Sequence, residues 1–474
     1  MEKVIVCSVC STKNLSLAKF CIKCRARINL VQPIPDPEAE LIQRNISRFN
    51  KRGKFKRYGI YAAIVTAIFI IALASTLYSS LFESFIPYQK EIVIDSAKIN
   101  SNSDWNMYQN DSLNSGFSNY DFNPSGRILW EFKTNSGFIK SSPAVVQGMV
   151  YLSTGDQLDR RIVGIDAKSG QLSWERSVDP PAETSPAVSG NALYITLRNG
   201  NIISLDRVTG KLLWLHKADS PIFSSPTLYQ DVLYVTTYGE ELLALEAMSG
   251  EVLWSRDIGA SMASAPAVND VIVAFNSRSN YVHILDSKTG QKRLKYPTGY
   301  VAGSVAISEE FLFVSDWTGR VRAINWTKIE RPFERQFRTF KLNLYVWGLI
   351  DSFPQWTGYA WVFEKLDETF RSTPVVTEDA VFVTSGSGKV FKLDATNGRL
   401  IWMFDTESEI SQPVVASKDT VIVGDSKGDL FRIDILTGEG EKFLTVDGSI
   451  SSPPIISDSR LFITTNEGTL YSIK

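Results

Sequence analysis

Beyond residue 24 the sequence has no cysteine, and its 474 residues include only two histidines, His216 and His283. The first absence excludes a disulfide framework for the rest of the chain, which must be held by packing. The second leaves a histidine-rich metal site or a Ser–His–Asp relay almost nothing to draw on. Both histidines stand in strand-like surroundings and read as ordinary strand residues. An overall excess of charge is also missing: 50 Lys and Arg face 51 Asp and Glu. That balance hides a split, because residues 1–57 carry +9 and the remainder −10.

The four cysteines that do occur form two C-x-x-C pairs, Cys7 with Cys10 and Cys21 with Cys24. Two such pairs supply four thiolates for one tetrahedral zinc, each pair making a tight knuckle. With Lys19-Phe20 ahead of the third cysteine, residues 1–30 resemble the short zinc ribbons that open many prokaryotic membrane proteins. Ser8 stands where that family often has proline, and Ser11 and Arg25 where it often has glycine. Redox chemistry is disfavoured by the lack of any βαβ pattern around either pair.

Residues 31–57 form a linker with Pro33, Pro35 and Pro37 that ends in Lys51, Arg52, Lys54, Lys56 and Arg57. Residues 58–82 follow without a single charge. That length suffices to cross a bilayer as a helix. The basic flank places the N-terminus in the cytoplasm and everything after residue 82 outside it. A cleaved signal peptide fits poorly, since the charged leader before the apolar run is too long. The basic arm also suits phosphate contact, but its charge lies against the membrane, and no nucleic-acid partner is expected.

From Ser141 onward one pattern repeats. Aligned on Pro143, Pro186, Pro226, Pro266, Val305, Pro374, Pro413 and Pro453, the copies lie 39 to 43 residues apart, except for one step of 69. β-Branched and aromatic runs such as Ala192–Thr196 and Ala380–Thr384 read as strands. Asp166, Asp206, Glu246, Asp286, Asp394 and Asp434 each stand four residues before a glycine, where a side-chain oxygen satisfies a turn. Trp174, Trp214, Trp254 and Trp402 follow such glycines by four and can wedge between neighbouring units. A period near 40 with four short strands is the mark of a propeller blade.

The last copy stops at Lys474 with no room for a fourth strand, whereas Gly126–Phe132, containing Trp130, is a fourth strand without a blade. Pairing the two closes the ring and removes a free edge. The expected fold is therefore all-β: an eight-bladed propeller over 126–474, joined to the membrane segment by a linker over 83–125. The G-x-x-x-W strand after a D-x-x-x-G turn resembles the tryptophan-docking repeat of PQQ-like propellers. Asp104–Asp111 with Asn114–Ser118 resembles the segment that leads into many of them, with the role of lying across the ring.

The long step puts an insertion at 327–357, between the third and fourth strands of blade five, after which Trp361 retakes the docking position. Tyr345, Trp347, Phe353 and Trp356 make it the candidate partner surface, with packing on its own blade as the alternative.

The resemblance implies one of two activities. Some PQQ-like propellers are quinoprotein dehydrogenases that hold PQQ and calcium on the axis. Others are non-catalytic, such as the lipoprotein of the outer-membrane β-barrel assembly machinery. The alcohol-oxidising enzymes use an adjacent cysteine pair that this chain lacks, and their rings are larger. The expectation is accordingly a non-catalytic, monomeric propeller serving as a binding or assembly scaffold for an envelope protein. Structural zinc is expected and PQQ is not; a PQQ-dependent dehydrogenase is the alternative.

Overall fold

The computed structural model describes residues 3–7, 12–28, 32–35, 40, 104–134, 141–154, 160–262, 264–301, 303–330 and 333–474. Cys10 and the apolar run 58–82 lie outside the described residues, and among those described no helix is long and apolar enough to cross a membrane. The chain divides into two units, Met1–Pro87 and Tyr88–Lys474.

In the first unit, Lys3–Val6 pairs antiparallel with both Lys13–Leu15 and Ile34–Pro35. Ile5, Cys7, Cys21 and Ile28 are buried together beneath this small sheet.

The second unit contains eight four-stranded antiparallel sheets, each a consecutive meander except the last. Blade two shows why the repeat folds this way. Ala192–Thr196 and Asn201–Asp206 pair as Leu193↔Leu205 and Ile195↔Ile203, and both are buried along most of their length. Middle strands sandwiched between neighbouring blades need apolar residues on both faces. The outer strand Leu212–Lys217 is largely exposed and alternates.

The eighth sheet is built from both ends of the chain. Ile128–Lys133 pairs with Thr469–Ile473 as Lys133↔Thr469, Phe132↔Leu470 and Trp130↔Ser472. The N–H groups of Ser125 and Lys474 add bonds to the carbonyls of Lys474 and Arg127. The ring thus closes where the sequence placed its missing strand.

Hydroxyls at the start of several blades stitch neighbours together. Ser142 N–H donates to Ser185 Oγ at 2.9 Å, Ser185 N–H to Ser225 Oγ at 2.9 Å, and Ser304 N–H to Thr373 Oγ1 at 2.8 Å. Each of these residues stands just before the repeated position (Pro143, Pro186, Pro226, Val305 or Pro374), so the motif places a hydroxyl at these three junctions.

Residues 104–122 belong to the propeller, although the sequence pattern alone starts it at 126. This segment passes the innermost strands in blade order. Trp105 exchanges two backbone bonds with Val145 of blade one, and Asn106 accepts from Val188 of blade two. Met107 packs with Leu228 of blade three. The carbonyls of Ser112, Leu113, Ser115 and Gly116 then accept from Val268, Ile307, Val376 and Ala416 of blades four to seven. Tyr108 reaches Thr373 Oγ1 at 2.9 Å, and Asn114 Nδ2 donates to the Val305 carbonyl at 3.0 Å. Burial pushes the Asp111 carboxyl above its ordinary range, while bonds from Ser115 and Leu113 oppose the shift. One end of the axis is therefore filled by the chain itself.

Deleting Gly126–Lys133 should cost far more stability than deleting residues 90–97. The loss should approach the whole stability of an ordinary domain, about 5–15 kcal/mol. Denaturant unfolding of both variants checks this, and equal midpoints would show that the ring closes by other means.

Candidate functional site

In the N-terminal unit, Cys7, Cys21 and Cys24 bring their sulfurs within 4.8 Å of one another, with Cys7 and Cys24 at 3.6 Å. Sulfurs bound to one tetrahedral zinc stand about 3.8 Å apart, given Zn–S bonds near 2.3 Å, so the donor set fits that ion. The knuckles come from local backbone. Cys7 N–H donates to the Thr12 carbonyl, and Arg25 N–H to the Cys21 carbonyl with Arg25 at φ 57°. Asn14 braces the second knuckle, accepting from Ile22 N–H at 2.8 Å and directing its amide at Cys21 Sγ at 3.7 Å. Among the described residues no other group of three His, Cys, Asp or Glu side chains converges in this way.

The docking tryptophans all lie at blade junctions. Trp174 donates its indole N–H to the Arg207 carbonyl of the next blade at 2.9 Å. Trp214, Trp361, Trp402 and Trp130 reach Ala247, Ala395, Ile435 and Ala167 in the same way, the last joining blade eight to blade one. Trp254 lies against Gly290. Beneath Trp174 the turn glycine Gly210 has φ +68°, and a Cβ there would stand 2.5 Å from the ring. That position needs glycine both for its backbone and for the close approach. The acid four residues earlier holds the turn: Asp206 Oδ1 accepts from the hydroxyl and N–H of Thr209, which keeps its carboxyl below the usual range.

The insertion forms a helix, Glu334–Val346, none of whose residues is buried. Its base is fixed to blade four. Glu330 N–H donates to the Arg293 carbonyl, and Arg335 bonds Glu330 and the Lys295 carbonyl. The four singled-out aromatics separate here. Trp356 packs on the blade-four core with Arg338 3.9 Å above its ring. Tyr345 and Phe353 meet edge to face at 5.6 Å. Trp347 stands out furthest into solvent, 70% exposed.

A second surface, at the opposite end of the ring, has no counterpart in the sequence-based site. There Arg198 lies over Phe223, Phe223 meets Tyr238 edge to face at 5.5 Å, and Arg278 lies over Tyr238. Further round, Tyr300 meets Trp317 at 5.1 Å and Arg371 covers Trp317. Phe223, Tyr238, Tyr300 and Trp317 are each 38 to 44% exposed. The signal was present in the repeat. Tyr238 and Trp317 occupy hairpin tips beside Gly239 and Gly319, where polar residues would serve the turn equally well.

His283 is buried flat against Phe275, with Ser277 Oγ 2.9 Å from its Nε2. Burial, aided by Lys295 and Lys292, pushes its pKa down to about 3, so the ring is neutral near pH 7. It has no carboxylate partner and no open face, and it reads as core. His216 lies half-buried on the outer strand Leu212–Lys217.

A family model described as outer membrane protein assembly factor BamB matches residues 120–186, 158–341 and 355–441. Among solved structures, BamB from Moraxella catarrhalis aligns with a TM-score of 0.58 at 15% identity, over 73% of this chain and 98% of that one. Quinohemoprotein alcohol dehydrogenase from Comamonas testosteroni aligns with a TM-score of 0.60 at 13% identity, over 78% of this chain and 80% of that one. Likeness at this identity establishes the fold alone. In sequence, quinohemoprotein alcohol dehydrogenase ADH-IIG of Pseudomonas putida is 40% identical over 53 residues, which is 11% of this chain and 7% of that enzyme.

Cys21→Ser should weaken zinc binding by at least roughly a hundred-fold, since three thiolates no longer close the site. Competition against a chromophoric chelator on the purified chain measures this. A wild-type chain without one zinc per molecule would contradict it.

Proposed function

The chain belongs to the family described as outer membrane protein assembly factor BamB, and on that premise we propose a non-catalytic binding scaffold of the cell envelope. Residues 58–82 anchor it in the cell membrane as a single span, with the N-terminus cytoplasmic and the propeller outside. The N-terminal ribbon holds one structural zinc through Cys7, Cys10, Cys21 and Cys24. The propeller, a monomer, meets an envelope protein partner through its loops.

One observation carries the binding reading: the arc of exposed aromatic rings capped by Arg198, Arg278 and Arg371 at one end of the ring. Tryptophan, tyrosine and arginine are the residues that dominate protein interfaces, where large rings bury area at little entropic cost. Cation–π stacking also holds the arginines in place before a partner arrives, which lowers the cost of ordering them. The edge-to-face pairs Phe223–Tyr238 and Tyr300–Trp317 bridge loops of successive blades, so a partner would meet a rigid surface.

A PQQ-dependent dehydrogenase is the second reading, favoured by the 53-residue match to a quinohemoprotein alcohol dehydrogenase. The absence of cysteine beyond Cys24, where the alcohol-oxidising enzymes use an adjacent pair, weighs against it.

Tyr238→Ser combined with Trp317→Ser should remove the co-purifying envelope protein when the intact chain is recovered from its native membrane. Loss of two central aromatics from an interface weakens binding by roughly a hundred-fold or more. Full retention of every partner by the folded variant would contradict the reading. Dye reduction with an alcohol after adding PQQ and calcium would favour the enzyme.

A further inference from the structure

We infer that the helix Glu334–Val346 and the turn after it are an interfacial foot, lying in the headgroup layer of the bilayer that holds the anchor. The inference rests on the anchoring proposed for residues 58–82. Its starting point is an apolar stripe without a partner. Phe337, Phe340, Leu344 and Trp347 recur at spacings of three, four and three, which is one face of a helix. Phe337 is 61%, Phe340 59% and Trp347 70% exposed, and Leu349 extends the stripe at 66%.

The exposure does not come from a loosely attached loop. Arg335 ties the start of the helix to Glu330 and to the Lys295 carbonyl, and Arg338 stacks on Trp356 against the blade-four core. The insertion is fixed to the ring by one side and presents the other. The family match also stops at residue 341 and resumes at 355, so Trp347 and Leu349 lie in a stretch outside that shared pattern. The ring closes without them, because Gly358 and Trp361 complete the blade.

Two observations select lipid as the occupant. The first is location. Asp104 enters the ring at the turn between the first two strands of blade one, where its carboxylate accepts from Gln147 N–H. The insertion leaves blade five between its third and fourth strands, and antiparallel alternation puts both turns at the same end of the ring. Residues 83–103, which span at most about 70 Å when extended, therefore lead from the apolar segment to the end that carries the foot. The arginine–aromatic arc occupies the opposite end. The second is chemistry. Phenylalanine, tryptophan and leucine on one face, with Lys341 beside them, suit the boundary between headgroups and acyl chains. Large exposed apolar surface on an otherwise ordinary ring marks a contact.

The foot and the anchor would together set the orientation of the propeller. A second membrane contact on the ring would point the opposite end away from the bilayer.

The test places a protease site among residues 88–103 of the full chain and reconstitutes the protein in vesicles of phosphatidylcholine and phosphatidylglycerol. After cleavage, the vesicles are floated on a density gradient. The released wild-type propeller should stay with the vesicles. The variant carrying Phe337→Ser, Phe340→Ser and Trp347→Ser should partition at least roughly ten-fold more weakly, since each removed ring withdraws apolar area from the interface. Near-UV circular dichroism confirms that both rings are folded. If the intact chain floats but the cleaved wild type leaves the vesicles as readily as the variant, this inference falls and the anchoring stands. If the intact chain does not float, the anchoring fails and takes the inference with it. If the variant instead loses a co-purifying protein while the cleaved wild type is free in solution, the stripe is a protein contact and the inference is overturned.

Discussion

Most of this molecule depends on one contact, a large ring laid across the turn glycine of the neighbouring blade. Trp130 covers Gly170, Trp174 covers Gly210 and Trp214 covers Gly250, with Trp254, Trp361 and Trp402 continuing the series. Each contact fixes the angle between two blades, because the ring fills the space left by the missing Cβ and in most cases bonds a carbonyl of that same turn. Where tryptophan is absent the principle survives with other side chains. Leu294 of blade four lies on Gly358, and the Phe443 backbone of blade seven meets Gly126. A repeated angle closes a ring, and closure removes the sheet edges that would otherwise recruit other strands. It also gathers the connecting loops at two opposite ends, each open to a separate task.

The segment 104–122 turns those ends into different surfaces. At one end its backbone is bonded to the innermost strands and fills the axis. At the other, hairpin tips carry arginines and aromatics into solvent. The fold supplies a rigid frame, and function on such a frame resides in the side chains that departures from the repeat place at its ends.

Those departures mark how far the sequence alone could be read. The repeat and its missing eighth strand were legible because strand period, turn glycine and docking ring are local signals at fixed offsets. The convergence of Cys7, Cys21 and Cys24 was legible because C-x-x-C pairs are short-range. Residues 104–122 resembled a lead-in segment, yet their bonds to successive blades span tens to hundreds of residues and leave no periodic mark. The insertion was located correctly by its length, but its aromatics could not be sorted by composition. Trp356 and Phe353 are drawn onto Arg338, while Phe337 and Phe340, outside the four candidate residues, stand in the open. The opposite arc was overlooked because each of its members looks like an ordinary turn residue until the stacking gathers them into two clusters, Arg198–Phe223–Tyr238–Arg278 and Tyr300–Trp317–Arg371.

The central claim is that the two ends of the chain share one blade as firmly as any internal hairpin does. Native-state hydrogen exchange tests it directly. The amides of Trp130, Phe132 and Tyr471 should open only with global unfolding, at the same free energy as those of Tyr194 and Phe382 in blades two and six. Exchange at Trp130 and Phe132 through a separate, lower-energy opening, with the rest of the ring still protected, would contradict closure as the constraint that holds the propeller together.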